Sequence, residues 1–400
     1  MLIYEYKVAG TKKQYTAIDE AIRIVQFVRN TCLRKWMDER GVSSNDLQCS
    51  CAVLAKEYSF ASLLNSQARQ VAADRAWSAI QRFFDTCKNH QPGKKGYPRF
   101  QHDHRSLEYK QTGWKFDPDG KHRCFTDGGG IGHVRLVGNT NQRIAPFPLQ
   151  QVKRVRLVKR ADGYYVQFAV KAERKVEHVT TGAHVGIDVG LKEFSTDSNA
   201  NTVANPRFLR KAEKKLKRLH RRLSKTQQHS KNRKKARQKR AKAYLKVNRQ
   251  REDFARKTAN ALTTSHDLVA FEDLKIANRV KNHHLARSIN DAAWGRFLAW
   301  VRYDGLIQGV PIVAVAPQFT SQQCSGGSKL VKKSLSERTH RCVHGGLVMD
   351  RDEKAARNIL AKALQWLKEQ EGCTEGHSET GLPARRQKAS GQKTTTASQR

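Results

Sequence analysis

Between Arg210 and Arg251 the chain carries twenty Lys and Arg, a single acid, Glu213, and not one Pro or Gly. No other feature restricts the fold as much. Nothing in the run breaks a helix, and Leu209, Leu216, Leu219 and Leu223 keep an apolar stripe through its first part. A block this dense cannot neutralise itself and needs phosphates beside it. The expected form is a helical hairpin that grips a nucleic-acid backbone through Lys214, Lys215, Arg218, Arg221, Arg222, Lys231, Arg233, Lys234, Lys235 and Arg237, by contacts carrying little base information. The whole chain agrees: 76 Lys and Arg against 36 Asp and Glu leave a charge of +40. An acidic small molecule would not require that excess, whereas a polyanion does. The 38% hydrophobic content, with 15 Phe, 10 Tyr and 6 Trp, excludes a wholly disordered basic protein.

Periodicity divides the remainder. Leu2 to Val8 reads as a strand, after which Ile18, Ile22, Val25, Cys32 and Trp36, then Ala73, Ala76, Trp77, Ile80, Phe83, Phe84 and Cys87, follow helical spacing. Residues 11–90 are therefore a helical unit, ended by the Pro and Gly of QPGKKGYPRF. LEYKQ, HVRLVG, QVKRVRLVKR and, past the turn at Asp162 and Gly163, YYVQFAVKAERK are β-rich. Residues 1–10 and 91–178 are expected to form a β-barrel into which the helices are inserted. From Val185 strands and helices alternate (VGIDVGLKEF, LVAFEDL, AWGRFLAWVRYDGLIQG, PIVAVAP), which argues for an α/β layer over 179–318 and 347–370. Residues 319–346 read as an irregular knuckle before a last helix, Asp352 to Leu367, and 371–400 as a disordered tail. No run of about 18 apolar residues occurs and the N-terminus lacks a signal core, so no membrane is expected and the location is cytoplasmic. Eight scattered cysteines fit a reducing compartment without disulfides, and GGGIG near Asp127 lacks the lysine of a phosphate loop.

Three acids stand where apolar periodicity leaves chemistry as a reading. In VGIDVGL, Asp188 shares its strand face only with Gly186 and Gly190, small neighbours that leave room for something beside it. Glu272 ends LVAFE, a strand buried on both faces, at the carboxyl end where open α/β sheets keep their sites. In DRDEKAARNIL, Asp352 shares a helix face with Ala355, Ala356, Ile359 and Leu360, whereas Asp350 falls on the other side. Each alone has a structural alternative: a turn residue, a salt-bridged acid, a helix-terminus residue. Together, in a chain this basic, they fit a site for two Mg²⁺ ions that hydrolyses nucleic-acid backbone.

GIDVGLKEF, FEDLKIANR, INDAAWGRF, APQFTSQQC and DRDEKAARNIL occur in the order and contexts of the transposon-encoded TnpB proteins, RNA-guided nucleases related to the type V CRISPR effectors called Cas12. The likeness spans Gly186 to Leu360, with KKGYPRF before it. The resemblance implies an α/β plus β-barrel plus α multidomain chain: a wedge β-barrel carrying an inserted helical recognition domain, and a RuvC nuclease domain with an RNase H fold. It implies guide RNA and target double-stranded DNA as partners, the basic segment on the RNA or the heteroduplex, and Asp188, Glu272 and Asp352 as catalytic acids and Mg²⁺ ligands. It further implies a prokaryotic-type, nucleoid-associated protein, with a monomer favoured. The family's zinc ribbon is degenerate here, since Gly327 and Gly345 replace the second cysteine of each pair. Cys324, Cys342 and His344, with His340, are candidate ligands of a substitute zinc site, and a metal-free knuckle is the favoured reading. Lys354 and Asp304 also depart from the family pattern. Three rivals share these residues: a compact CRISPR effector, a guided DNA-binding repressor without cleavage, and a transposase or general RNA-binding protein.

Overall fold

The computed structural model describes residues 1–89, 93, 96–116, 122–138, 144, 147–318, 320, 324, 339–341, 346 and 348–372. The chain divides into two units, Met1–Val176 with Phe208–Gln250, and Glu177–Arg207 with Arg251–Arg400.

In the first unit, strand β1 (Leu2–Ala9) leads into helix α1 (Lys12–Asp38), which opens on a capping box: Thr11 and Gln14 satisfy each other's backbone N–H groups. The same device, Ser43 with Asp46, starts α2 (Ser44–Glu57), and Asn65 caps α3 (Ser66–Lys88). Strands β2 (Ser106–Tyr109), β3 (Trp114–Phe116), β4 (His122–Phe125), β5 (Gly132–Val137), β6 (Val152–Arg160) and β7 (Gly163–Val170) join β1 in one antiparallel sheet of order β2-β6-β7-β1-β5-β4-β3. Among the described residues β2 and β3 are free edges, so the expected barrel is a sheet that does not close through hydrogen bonds. Helices and sheet share one core: Ile18, Val25, Val28 and Ile80 are continuous with Leu107, Val134, Leu157 and Phe168. The basic segment forms α4 (Phe208–Ser224) and α5 (Lys231–Thr264), and the residues of α5 from Arg251 on belong to the second unit.

The second unit is built on a five-stranded sheet of order β10-β9-β8-β11-β12, from β8 (His184–Val189), β9 (Glu193–Asp197), β10 (Thr202–Ala204), β11 (Leu268–Glu272) and β12 (Ile312–Val315). The first three strands pair antiparallel and the last three parallel. VGIDVGLKEF, expected as one strand, is two: the chain folds back at Gly190, whose N–H donates to the Phe194 carbonyl at 3.1 Å. A Cβ at Gly190 would lie 2.9 Å from the Glu193 carbonyl oxygen, which is why the turn takes glycine. One sheet face, through Val185, Ile187, Val269 and Phe271, packs with Ala255 and Ala259 of α5 and with α6 (His283–Ala292) and α7 (Trp294–Gln308). The other face, through Leu268, Ala270, Val313 and Val315, packs on Ile359 and Ala363 of α8 (Arg351–Gly372). Strand β11 is thus covered on both faces, as its continuous apolar run requires. A short pair, β13 (Thr339–Arg341) with β14 (Val348–Asp350), precedes α8. The tail from residue 373 lies outside the described residues, and 371–372 still belong to α8.

Candidate active site

Alternation along β8 turns Gly186 and Asp188 to the face covered by α8. A Cβ on Gly186 would lie 2.2 Å from the Ala356 carbonyl oxygen and 2.7 Å from the Leu360 nitrogen. The room that Gly186 leaves on the face of Asp188 is therefore the seat of α8. The glycine lets the helix backbone come down onto the strand, which brings the first turn of α8, with Asp352, to Asp188. Glu272 arrives from the parallel neighbour: Ala270 pairs with Gly186 and Phe271 with Ile187, so Glu272 follows in register with Asp188 and on its face. All three acids meet at the carboxyl end of the parallel strands.

Asp350 does something else. Its exposed side chain accepts the backbone N–H groups of Asp352 at 2.8 Å and Glu353 at 3.3 Å, which makes it the N-cap of α8. The separation of roles along DRD follows from helix geometry, with the cap outside and the inward acid in the first turn.

The electrostatics are those of like charges gathered together. Desolvation, then the charges of Glu272 and Asp352, push the Asp188 carboxyl up to about 8, against the opposing pull of Arg351 and Arg279. Glu272 accepts a hydrogen bond from the Thr320 hydroxyl through Oε1, and its Oε2 lies 4.0 Å from Arg279 Nη2. Asp352 Oδ1 lies 3.6 Å from Arg351 Nε. Among the described residues no three His, Cys, Asp or Glu are drawn into a closed metal-ligand group. The three carboxylates repel one another, and a hydroxyl and two guanidiniums offset part of that repulsion. The donor set is nevertheless oxygen only, which matches the preference of Mg²⁺ and offers nothing to a soft metal.

The sequence points to the three acids by their periodicity; their attendants lie inside the motifs FEDLKIANR, APQFTSQQC and DRDEKAARNIL, but no pattern gives them a role there. Thr320, Arg279, Arg351 and Asn358 are scattered along the chain, and only the fold brings them together. At the knuckle, Cys324 and His340 are both buried, while Cys342 and His344 lie outside the described residues. The six cysteines among the described residues are free.

The basic hairpin in the first unit is closed by its own arginine. Arg233 Nη1 donates to the carbonyls of Thr226 at 2.9 Å and Leu223 at 3.2 Å, and Arg240 meets His220 across the hairpin at 3.2 Å. Arg233, one of the expected phosphate ligands, thus spends part of its guanidinium on the turn. An open groove of about 900 Å³ runs along α4, lined by Lys214, Lys215, Lys217, Arg218, Arg221, Arg222 and Lys225. No described helix is long and apolar enough to cross a membrane.

Two family models match the chain: OrfB_IS605, described as "Probable transposase", over residues 167–283, and the Cas12f1-like TNB domain over residues 294–359. A protein of Streptomyces pristinaespiralis named "Putative RNA-guided DNA endonuclease" is 37% identical over 186 residues, 46% of this chain and 46% of that one. InsQ of Escherichia coli K12, named likewise, is 28% identical over 226 residues, 52% of this chain and 56% of its own. The chain therefore spans about half the length of the curated relatives it matches. Among solved structures, the Cas12f1–sgRNA–target DNA complex aligns with a TM-score of 0.52 at 14% identity, over 87% of this chain and 81% of that one. That likeness is one of fold, and the fold is Cas12-like.

Proposed function

Because the chain belongs to the TnpB family, we propose that it is an RNA-guided DNA endonuclease that hydrolyses phosphodiesters at Asp188, Glu272 and Asp352. The observation that carries the reading is the convergence of these acids on one face of the sheet, with the Asp188 carboxyl held up at about 8 by burial and then by its acidic neighbours. Carboxylates gathered at this cost to one another are a common mark of a functional site. The strand order, three antiparallel followed by parallel neighbours, with the acids on β8, β11 and the final helix, supports a RuvC-type domain of RNase H fold.

Asp188, Glu272 and Asp352 would hold Mg²⁺, which when bound supplies the Lewis acidity for phosphodiester cleavage by water. The chain's own part is to hold the acids in place. Gly186 admits α8, Asp350 fixes the first turn that carries Asp352, and Arg279 and Arg351 counter part of the acids' charge.

Guide RNA and target double-stranded DNA are the proposed partners. The groove along α4 and the outer face of α5, through Lys214, Lys215, Arg218, Arg221, Arg222, Lys231, Lys234, Lys235 and Arg237, takes nucleic-acid phosphates. The proposed domains are a wedge (1–10, 91–178), a helical recognition part (11–90), a nuclease part (179–318, 347–370) and a zinc-poor knuckle (319–346). The site is tested by cleavage of guided plasmid DNA. Asp188→Ala, Glu272→Ala and Asp352→Ala each lose Mg²⁺-dependent cleavage by at least about 10³-fold while guided DNA binding persists. Cleavage that persists in all three variants would overturn the assignment.

A further inference from the structure

Thr320 is 2% exposed and stands between two of the acids. Its hydroxyl donates to Glu272 Oε1, at the end of β11, and its carbonyl accepts from Asn358 Nδ2 on α8 at 2.9 Å. Asn358, 6% exposed, lies six residues past Asp352 on the same helix. The chain leading to Thr320 is held at two points before it: Lys362 Nζ on α8 donates to the Gln318 carbonyl at 2.6 Å, and the Asp273 N–H donates to the Val315 carbonyl at 2.8 Å. One residue, remote in sequence from both acids, thus joins the strand that carries Glu272 to the helix that carries Asp352.

From this geometry we infer that Thr320 is a positioning residue for the cation site. A hydroxyl has one proton to give, and the Thr320 Oγ1 also lies 3.2 Å from the Pro317 carbonyl. Given to Glu272, the proton occupies Oε1 and leaves Oε2, whose other neighbour is Arg279 Nη2 at 4.0 Å, as the oxygen to meet a cation. The carboxylate is then held in one rotamer before the cation arrives, which removes an ordering cost from binding. The Asn358 bond keeps the donor itself level with α8, so that Glu272 and Asp352 are set against a common reference. Partners of metal ligands that act in this way change metal affinity by about 10- to 100-fold when removed.

The inference rests on the reading of the acids as a cation site, and the test separates the two. Mn²⁺ alone is titrated into the full chain without RNA and free Mn²⁺ is read by electron paramagnetic resonance, with the Mg²⁺ dependence of guided cleavage as a second readout. Thr320→Val keeps the shape and removes the donor. It is expected to weaken Mn²⁺ binding about tenfold and to raise the Mg²⁺ needed for half-maximal cleavage by a similar factor, with less change at saturating Mg²⁺. Thr320→Ser, which restores the hydroxyl, is expected to bind within about twofold of the parent. Mn²⁺ binding lost in Asp188→Ala but unchanged in Thr320→Val would overturn the role of Thr320 alone, as would equal impairment of the Ser and Val variants. Binding equal in the parent and in Asp188→Ala would overturn the cation site and Thr320 with it.

Discussion

Glu108 on β2, 2% exposed, is held by Arg75 Nη2 at 2.9 Å, Arg154 Nη1 at 3.0 Å and Arg156 Nη2 at 2.6 Å. Asp188 on β8, in the other unit, is surrounded chiefly by further carboxylates. Burial pulls the Glu108 carboxyl up, but the guanidiniums of Arg156 and Arg75 outweigh it, and the group ends below its ordinary value. For Asp188 burial and charge act in the same direction, and the group rises to about 8. The difference separates two uses of a carboxylate. Where the fold supplies the counter-charge, the acid belongs to the architecture; where it withholds enough of it, the acid is suited to a cation from outside.

That contrast predicts opposite signs of stability change, and this is the largest expected effect. Glu108→Gln leaves the half-buried Arg75 beside Arg154 and Arg156 without their shared anion and should destabilise the full chain by about 3 kcal/mol in urea unfolding. Asp188→Asn removes an acid whose charged form burial and its neighbours disfavour, and should leave metal-free stability unchanged or raise it by up to about 1 kcal/mol. The Glu108 contribution also has a defined pH window. Its folded value lies below the unfolded one, so the stabilisation is complete above the ordinary carboxyl range near pH 4.3 and fades as pH falls through the folded value. The gap between parent and Glu108→Gln should therefore be constant from pH 7 to about pH 5 and narrow below about pH 4; a gap that widens on acidification would contradict the assignment.

The next effect concerns how the acid site is assembled. Gly186→Ala puts a methyl against the Ala356 carbonyl, a backbone group that cannot turn aside. A loss of about 2 kcal/mol, with cleavage reduced in step as Asp352 is displaced, is expected. Asp350→Ala removes only a helix cap, costing about 1 kcal/mol with most cleavage kept. A rank order in which Asp350→Ala cleaves worse than Asp352→Ala would break the division of labour along DRD.

What is legible in the sequence is whatever periodicity encodes. The β8 alternation and the apolar run of β11 locate Asp188 and Glu272, and the α8 stripe separates Asp352 from Asp350. The Pro-free, Gly-free basic run specifies a helical hairpin. The glycines beside Asp188 show that room is kept there, but a strand pattern cannot say that at Gly186 the occupant is a helix backbone. The turn at Gly190 escapes notice because LKEF continues the β-rich composition across it. Thr320 stands in the motif APQFTSQQC, but its role is not legible there, since its partners Glu272 and Asn358 are distant along the chain and its hydroxyl carries no periodic pattern. The arginines on Glu108 include cross-strand neighbours, Arg156 directly opposite it in register, yet their alternation in VKRVRLVKR reads only as strand.

The smallest effect per residue belongs to the basic hairpin. Replacing Lys214, Arg218, Arg221 and Arg222 with Gln should weaken RNA binding and reduce its log–log salt slope by about 0.7 for each phosphate no longer neutralised. Arg233→Gln, whose side chain closes the turn, should instead loosen the hairpin, seen as lost helicity by circular dichroism.

The central claim, that the fold completes Glu108 and leaves Asp188 for a cation, meets its most direct test in urea unfolding of the full RNA-free chain with and without 10 mM Mg²⁺ (about tenfold above a millimolar site). The account predicts that Mg²⁺ stabilises the parent by about 1.4 kcal/mol, does so equally for Glu108→Gln despite its lower baseline, and fails to stabilise Asp188→Asn. Equal stabilisation of Asp188→Asn and the parent would show that the cation binds elsewhere and would contradict the claim.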